Sequence, residues 1–243
     1  VVYDTGGLSL KPTPNSMDCM KSDMGGAAAV IGAIYAISKM KLNVNVIGLI
    51  PAVENRPGGN AYVPGDVVTM MDGSSVEVLN TDAEGRMILA DALHYAKRLD
   101  PKLVLDVATL TGAAVKAVGK YGIVAMGNAS KKTCDILEKS GHETSERVAF
   151  QPFWDDYSQE LDSNIADLKN IGSAEAGHIT AGKFLEHFTK DGGKKCYPWI
   201  HLDIAGSAFL HSEYLLCPKG GTGSGVRLIC RFLQFIAKNG LPE

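Results

Sequence analysis

Apolar and polar positions along this chain predict helices and strands in alternation. Apolar residues at helical spacing predict these helices: residues 25–40, 87–99 and 226–238, with further helical stretches near 130–140 and 177–189. In the first of them we expect Ala27, Ile31, Ile34 and Ile37 to lie roughly on one face. Continuous or β-branched apolar runs predict these strands: residues 1–4, 43–51, 102–110, 121–128 and 199–206.

Two further features complete the predicted fold. Residues 66–80 read as two short strands that turn at Asp72-Gly73. Strands that alternate with helices predict an α/β fold with a mixed, mostly parallel central sheet, flanked by helices in three αβα layers. No Pro-rich, Ser-rich or charged linker divides the chain, so we expect residues 1–243 to form one domain.

Composition and charge narrow the classes of partner. The chain has 243 residues with a net charge of −3, and its lysines and arginines are scattered, which argues against nucleic acid as the main partner. The five cysteines are widely spaced and include no Cys-x-x-Cys pair, so a reducing compartment and a cytoplasmic location are expected. The longest apolar run falls short of the roughly 20 residues that cross a bilayer, so we expect no membrane partner.

The stretch "NTDAEGR", Asn80 to Arg86, places two acids and an arginine after a strand-like run. Thr81 and Glu84 have the spacing of a capping box for the helix that follows. Acidic side chains also suit a helix N-terminus, because the helix dipole is positive there. A purely structural role for this stretch is therefore one open interpretation.

Two similar stretches favour a functional interpretation. Asp4 and Asp23 each precede a Gly-Gly pair where an apolar strand or a loop ends. Open α/β sheets bind ligands beyond the carboxyl ends of their strands, so Asp4, Asp23, Asp82 and Glu84 are candidates for one crevice. If residues 82–84 are extended, the side chains of Asp82 and Glu84 point to the same side.

Four carboxylates in a partly desolvated crevice repel one another unless protons or cations neutralise them. Two divalent cations balance four carboxylates, and two-metal hydrolases hold their ions roughly 3.5–4 Å apart. Lys11 lies between the two Asp-Gly-Gly elements and Arg86 ends the acidic stretch. Two interpretations are open for these cations. Lys11 is a solvated loop lysine and Arg86 an ion-pair partner of nearby acids, or both stabilise an oxyanion beside the metals.

Asp106 and Asp203 lie inside apolar strands, where an ionised acid needs a partner. Each of them either orients a site residue or is a structural acid bound to backbone or arginine. We favour the structural interpretation for both.

Five blocks in this order resemble the catalytic domain of the leucyl (cytosol) aminopeptidases: "YDTGGLSLK", "MKSDMGGAAAV", "NTDAEGR", "DVATLTGA" and "HLDIAG". The resemblance implies an exopeptidase with two divalent metal ions per subunit, with Zn²⁺, Mn²⁺, Mg²⁺ and Co²⁺ as candidates. It implies that Asp4 and Glu84 bridge the ions, that Asp82 ligates one of them, and that Asp23 ligates the other. Lys11 and Arg86 become the catalytic cations, and Arg86 holds a bicarbonate in this interpretation.

The resemblance also implies how substrate is bound and cleaved. The positions that match the family's substrate-binding residues are Met20, Thr109, Leu110, Gly112, Ala205 and Ala208. Leu110 and Gly112 would bond the peptide backbone, and the others, with Gly112, form an apolar pocket for a Leu-like N-terminal side chain. A hydroxide that bridges the metals would attack the scissile carbonyl of a peptide substrate. The implied assembly of the full-length parent is a hexamer, a dimer of trimers.

The start of the chain differs from the family pattern. "VVYDTGG" begins inside a predicted strand, and the family's smaller N-terminal domain has no counterpart here. A lysine ligand that the family carries five residues before Asp4 would precede Val1. We therefore expect a domain truncated at its N-terminal edge, with little or no activity of the 243-residue chain alone.

Two other functional classes are alternatives to an aminopeptidase. A non-enzymatic, DNA-binding role fits some relatives, but the negative net charge and the intact set of acids and cations argue against it. A two-metal phosphatase would use similar carboxylates, but the apolar pocket argues against that class.

Overall fold

The computed structural model describes residues 1–215 and 217–242. Its α-helices are α1 Gly25–Met40, α2 Glu84–Ala96, α3 Gly112–Val118, α4 Lys131–Thr144, α5 Gly177–Phe188 and α6 Val226–Asn239. Its 3₁₀ helices are Met17–Ser22, Thr81–Ala83, Lys97–Leu99, Gly119–Tyr121 and Asp155–Leu161. Its strands are β1 Tyr3–Asp4, β2 Glu54–Asn55, β3 Val67–Thr69, β4 Ser75–Glu77, β5 Val104–Ala108, β6 Ile123–Gly127, β7 Val148–Phe150, β8 Leu168–Lys169, β9 Lys190–Asp191, β10 Lys194–Lys195, β11 Trp199–Asp203, β12 Phe209–Leu210 and β13 Gly220–Gly221.

The chain divides into two compact units, each built from three segments. The first unit comprises Val1–Met24, Ile50–Pro101 and Pro152–Tyr197. The second unit comprises Gly25–Leu49, Lys102–Gln151 and Pro198–Glu243. The single domain expected over residues 1–243 stays a prediction.

The second unit contains a four-stranded sheet in the order β5-β11-β6-β7. The pairs β5/β11 and β6/β7 are parallel and the pair β11/β6 is antiparallel. Helices α1, α4 and α6 contribute buried apolar side chains to one core together with the strands. This arrangement confirms the predicted mixed, mostly parallel sheet flanked by helices. The helices cover strands whose apolar side chains would otherwise be exposed to water.

Helix α1 has the predicted bounds, but only part of its predicted apolar face is buried. Its buried residues are Gly26, Ala29, Ala33 and Ile37, whereas Ile31 is 57% exposed. A Cβ added at Gly26 would lie 2.0 Å from the Val107 carbonyl oxygen on β5. Small residues therefore form most of the buried face, because near Gly26 the helix backbone approaches β5 too closely for larger ones.

The first unit contains the predicted hairpin. Strands β3 and β4 pair antiparallel on either side of Asp72-Gly73, and β8 adds to β4 in parallel. Strand β1 pairs in parallel with β2, which sets Asp4 opposite Asn55. Helix α2 packs against α5 in the same unit. Helix α2 begins at Glu84, earlier than predicted, and a 3₁₀ turn carries it to Leu99.

The strand predicted at residues 43–51 was wrong. In the described part of the chain this segment joins no β-ladder, and Val46, Ile47 and Ile50 are exposed. The strand preference of β-branched residues is realised only where a neighbouring strand offers packing and hydrogen bonds. Across the described residues, every helix is too short or too polar to cross a membrane.

Candidate metal centre

Strand β1 delivers Asp4 to a glycine turn in the first unit. The Asp4 Oδ1 atom accepts a hydrogen bond of 2.8 Å from the Gly6 amide. Gly6 has φ of +87°, and a Cβ there would lie 2.4 Å from the Ser9 oxygen and 2.9 Å from Asp82 Oδ1. Only glycine fits this turn, and its compactness lets the carboxylate of Asp82 come close to the end of β1.

The acidic stretch folds as a 3₁₀ turn that leads into α2. Asn80, not Thr81, supplies the cap: its Oδ1 atom accepts from the Asp82 amide at 2.8 Å. The Thr81 hydroxyl instead donates a hydrogen bond to the Gly6 backbone carbonyl oxygen at 2.6 Å and accepts one from the Ser9 backbone amide at 2.8 Å. The capping-box interpretation was therefore wrong, because the Thr81 hydroxyl holds the loop that follows β1. The extended-chain interpretation was also wrong, because residues 81–83 form a helical turn.

This geometry gathers three carboxylates. Asp4, Asp82 and Glu84 each place an oxygen within 4.8 Å of the others, in an arrangement that could hold a metal ion. Asp4 and Glu84 are buried, with exposed fractions of 4% and 6%. Burial first, and then the charge of Asp4, raises the pKa of Glu84 to about 8. Burial also raises the pKa of Asp82, although hydrogen bonding to Lys11 opposes the shift.

Lys11 forms ion pairs with two of these three carboxylates. Its Nζ atom lies 2.8 Å from Asp4 Oδ2 and 2.5 Å from Asp82 Oδ1. Burial alone would lower the pKa of Lys11, but the hydrogen bonds to the two aspartates outweigh it and the pKa is raised. Lys11 therefore stays protonated at neutral pH, and one positive charge faces three acids.

Asp23 and Arg86, the other predicted polar residues, lie in the same unit. Asp23 ends the 3₁₀ helix Met17–Ser22, and its charge contributes to the raised pKa of Glu84. Arg86 is buried on α2, and its Nη1 atom donates to the Asn170 oxygen at 2.9 Å. The roles of these residues as ligand and catalytic cation stay predictions.

Two asparagines and a tyrosine at this centre escaped the sequence analysis. The side-chain nitrogen Nδ2 of Asn55 donates to Asp4 Oδ1 at 2.8 Å, to Glu84 Oε2 at 2.9 Å and to the backbone carbonyl oxygen of Thr81 at 2.9 Å. Asn170 is fully buried, and its side chain bonds the backbone of residues 79 and 80. Burial, then the charges of Glu84 and Asp4, raises the pKa of Tyr62 to about 12. A loop rich in Gly, Pro and Asn was the one signal that marked Asn55 and Tyr62.

The donor set fits divalent cations. Three clustered carboxyl groups share one lysine in a mostly buried place, and the raised pKa values of Glu84 and Asp82 reflect the cost of ionising all three there without a further counter-ion. Carboxylate oxygens suit Mg²⁺ and Mn²⁺, and Zn²⁺ accepts them as well.

The predicted substrate-binding residues divide between the two units. Met20 belongs to the first unit, and the remaining five to the second. Thr109 and Ala208 lie close together, since a Cβ at Gly25 would be 3.0 Å and 3.1 Å from their side chains. The backbone amides of Leu110 and Ala205 both donate hydrogen bonds to the Asp203 carboxylate. Substrate binding by all six stays a prediction.

Comparison with known proteins places the chain in a family. The model of the "Cytosol aminopeptidase family, catalytic domain" matches residues 1–230. The chain belongs to the cytosol aminopeptidase family. It is 49% identical to a probable cytosol aminopeptidase of Syntrophotalea carbinolica and 50% identical to one of Geobacter sulfurreducens, each over 96% of the chain and 46% of the relative. The chain therefore spans about half the length of these members of the family.

Solved structures agree with this family assignment. The bottromycin maturation enzyme BotP is 38% identical, with a TM-score of 0.89 over 98% of the chain and 51% of BotP. BotP in complex with Mn gives a TM-score of 0.91, at 38% identity, over 98% of the chain and 52% of BotP. The similarity confirms the predicted three-layer α/β architecture.

Proposed function

We propose that the protein is a metal-dependent aminopeptidase that removes N-terminal residues from peptides. The observation that carries the proposal is the convergence of Asp4, Asp82 and Glu84 within 4.8 Å, with Lys11 bonded to two of them. Membership of the cytosol aminopeptidase family supports the same activity.

The chain's own residues supply the setting for this chemistry. Asp4, Asp82, Glu84 and Asp23 would hold two divalent ions, which when bound activate water and polarise the scissile carbonyl. Lys11 brings a fixed positive charge to the centre, where it stabilises the negative charge that develops on the carbonyl oxygen. The guanidinium of Arg86 is held in place by its bond to the Asn170 carbonyl.

The finer assignments rest on the family resemblance. We propose a Leu-like apolar preference, with Zn²⁺ or Mn²⁺ as the working ions and Mg²⁺ or Co²⁺ as alternatives. We also propose bicarbonate at Arg86, a hexameric assembly and a location in the cytoplasm. The Mn in one BotP structure is consistent with the choice of ions.

The activity is tested on the protein in the full form that its gene encodes. Leucine amide, p-nitrophenyl phosphate and duplex DNA are offered separately, with Mn²⁺ or Zn²⁺ added. We expect metal-dependent hydrolysis of leucine amide alone. Hydrolysis of the phosphate ester without amide hydrolysis would indicate a phosphatase, and DNA binding without hydrolysis would indicate a scaffold; either result overturns the proposal.

Metal binding is tested separately from turnover. We expect the double variant Asp82→Ala/Glu84→Ala to lose bound Mn²⁺ after equilibrium dialysis, as measured by elemental analysis. The control is Asp91→Ala on the same helix, since Asp91 is bonded to the Met71 amide and not to the centre. Unchanged metal content in the double variant would refute the carboxylate site.

A further inference from the structure

One buried carboxylate in the second unit joins two loops. Asp203 is the last residue of β11, its exposed fraction is 1%, and it pairs with Ala108 at the end of β5. Its Oδ1 atom accepts from the Leu110 amide and from the Ala205 amide, both at 3.1 Å. Its Oδ2 atom accepts from the Thr111 hydroxyl at 2.7 Å. The side chain thus ties the segment after β5 to the segment after β11.

The connection continues into helix α3. The Thr111 hydroxyl, which donates to Asp203, also accepts from the Ala114 amide at 3.0 Å and so caps the helix. Gly112 is the first residue of that helix, and a Cβ added there would meet no atom within 4 Å. The position of Gly112 therefore depends on Thr111, and that of Thr111 on Asp203.

The bonds to Asp203 also decide which backbone groups remain available. Because the Leu110 amide donates to Asp203, the group that Leu110 offers to a peptide is its carbonyl oxygen. A shift of this carboxylate would move the Leu110 amide, the Thr111 hydroxyl and the Ala205 amide together.

An acid at this place is costly for stability alone. Burial raises the pKa of Asp203, and the charge of His201 and the three hydrogen-bond donors only partly oppose the shift. Taking a charged group out of water costs free energy, and even a buried ion pair can often be replaced by apolar residues without loss of stability. An apolar side chain, however, accepts no hydrogen bonds, and only a carboxylate offers two oxygens to three donors from separate segments.

Asp106 provides an internal comparison. It lies on the neighbouring strand β5, and its carboxylate bonds the Trp199 indole at 2.6 Å and the His201 ring at 2.5 Å. Both partners are residues of β11 itself. Asp106 therefore ties strand to strand through side chains, not through the backbone or an arginine as the structural interpretation expected. Asp203 instead ties loop to loop, and two of its three partners are backbone amides.

We infer that Asp203 is a positioning residue for substrate binding, which holds Leu110, Gly112 and Ala205 in the arrangement that receives the N-terminal residue of a peptide. The inference rests on the proposed aminopeptidase function. It assigns Asp203 a functional role in place of the purely structural one favoured from the sequence.

The test compares Asp203→Asn with the matched variant Asp106→Asn, in the full gene-encoded protein with Mn²⁺. Asn keeps the shape of Asp but replaces one acceptor oxygen by an NH2 donor and removes the negative charge, so at least one of the three donors loses its charged acceptor. Because a lost hydrogen bond to a charged group is worth about a tenfold change or more, we expect KM for leucine amide to rise roughly tenfold, with a smaller change in kcat. Calorimetry should detect correspondingly weaker binding of the product leucine, and Asp106→Asn should lower the melting temperature without these changes.

A second pair of variants guards against misfolding. Thr111→Val removes one bond to Asp203 and should raise KM, whereas Thr111→Ser keeps the hydroxyl and should restore it. Equal KM and leucine affinity in Asp203→Asn and Asp106→Asn would overturn the inference and leave the proposed function intact. If the wild type fails to hydrolyse leucine amide, the proposed function itself is refuted, and the role of Asp203 with it.

Discussion

The side-chain amide of Asn55 bridges the carboxylates of Asp4 and Glu84, at 2.8 Å and 2.9 Å. The parallel pairing of β1 with β2 sets Asn55 opposite Asp4 and so fixes this bridge. The same nitrogen also reaches the Thr81 oxygen at 2.9 Å. A side-chain amide nitrogen has two hydrogens, so the two N–H groups of Asn55 are shared among three acceptor oxygens. Asn55 thus links the end of β1 to the start of α2.

We predict that Asn55→Ala weakens metal binding. Groups that orient metal ligands typically contribute 10- to 100-fold to affinity, so we expect the dissociation constant for Mn²⁺ to rise by roughly tenfold or more. Calorimetric titration measures it directly, without any assay of activity. Asn60→Ala, at an exposed position of the same loop, is the control and should bind Mn²⁺ as the wild type does. Equal affinities for both variants would show that Asn55 is a bystander.

We predict that Lys11→Met slows catalysis more than it weakens substrate binding. Loss of one group that stabilises the oxyanion typically costs about 100- to 1000-fold in kcat. The fold should survive, because Lys11 lies in a loop and the ion pairs of its side chain are with the two site aspartates. Steady-state kinetics with leucine amide measures kcat, and the exposed Lys21→Met is the control. A kcat within threefold of wild type would exclude Lys11 from the chemistry.

Glu146 has a structural role in the second unit that is testable by itself. Its buried carboxylate accepts from the Leu228 amide at 2.7 Å and lies 3.4 Å from Arg227, at the start of α6. Glu146→Ala leaves a buried amide without its acceptor, so we expect the free energy of unfolding to fall by about 1–3 kcal/mol. Urea denaturation measures the loss. Glu143→Ala removes an exposed partner of Arg231 and should change stability little, so similar losses for both would contradict the assignment.

Residue types predicted most of the helices and marked the three acids that the structure brings together. Asp4, Asp82 and Glu84 stood out because acids lie where apolar runs give way to glycine or to a helix, whereas catalytic roles for Lys11 and Arg86 came from the family resemblance and stay predictions. Helix α1 was visible from its apolar residues, and Ile37 of the predicted face is buried. The burial of Gly26, Ala29 and Ala33 was not predicted, because the close approach to β5 depends on which residues are small.

Other features have no periodic signal at all. Asn55 and Asn170 act through hydrogen bonds to groups far away in sequence, and an asparagine in a loop looks the same whether or not it makes them. The capping role of Asn80, rather than Thr81, depended on a contact between Thr81 and Gly6, 75 residues apart. Long-range contacts of this kind arise from the fold and are absent from local patterns.

Asp203 gives the stability of the protein a defined dependence on pH. Its pKa in the folded protein is raised above the ordinary 3.8, mainly by burial, while His201, the Thr111 hydroxyl and the Leu110 and Ala205 amides pull it down. Below 3.8 the folded and unfolded chains both hold the proton, and the contribution of Asp203 to stability is fully present. As the pH rises toward the folded pKa, the unfolded chain releases its proton first, so this contribution is lost.

Asp203→Asn removes the titrating group, so the difference in free energy of unfolding, wild type minus variant, should decrease as the pH rises from 4 to 7. Urea denaturation at each pH measures this difference, which cancels the titration of all other acids. The hydrogen bond from Thr111 lowers the pKa of Asp203, so Thr111→Val should raise that pKa further. The free energy of unfolding of Thr111→Val, minus that of Asp203→Asn, should therefore decrease more steeply with pH, or continue to decrease to a higher pH. A difference that instead increased with pH would mean that the folded protein stabilises the ionised form, and that the hydrogen bonds of Asp203 outweigh its burial.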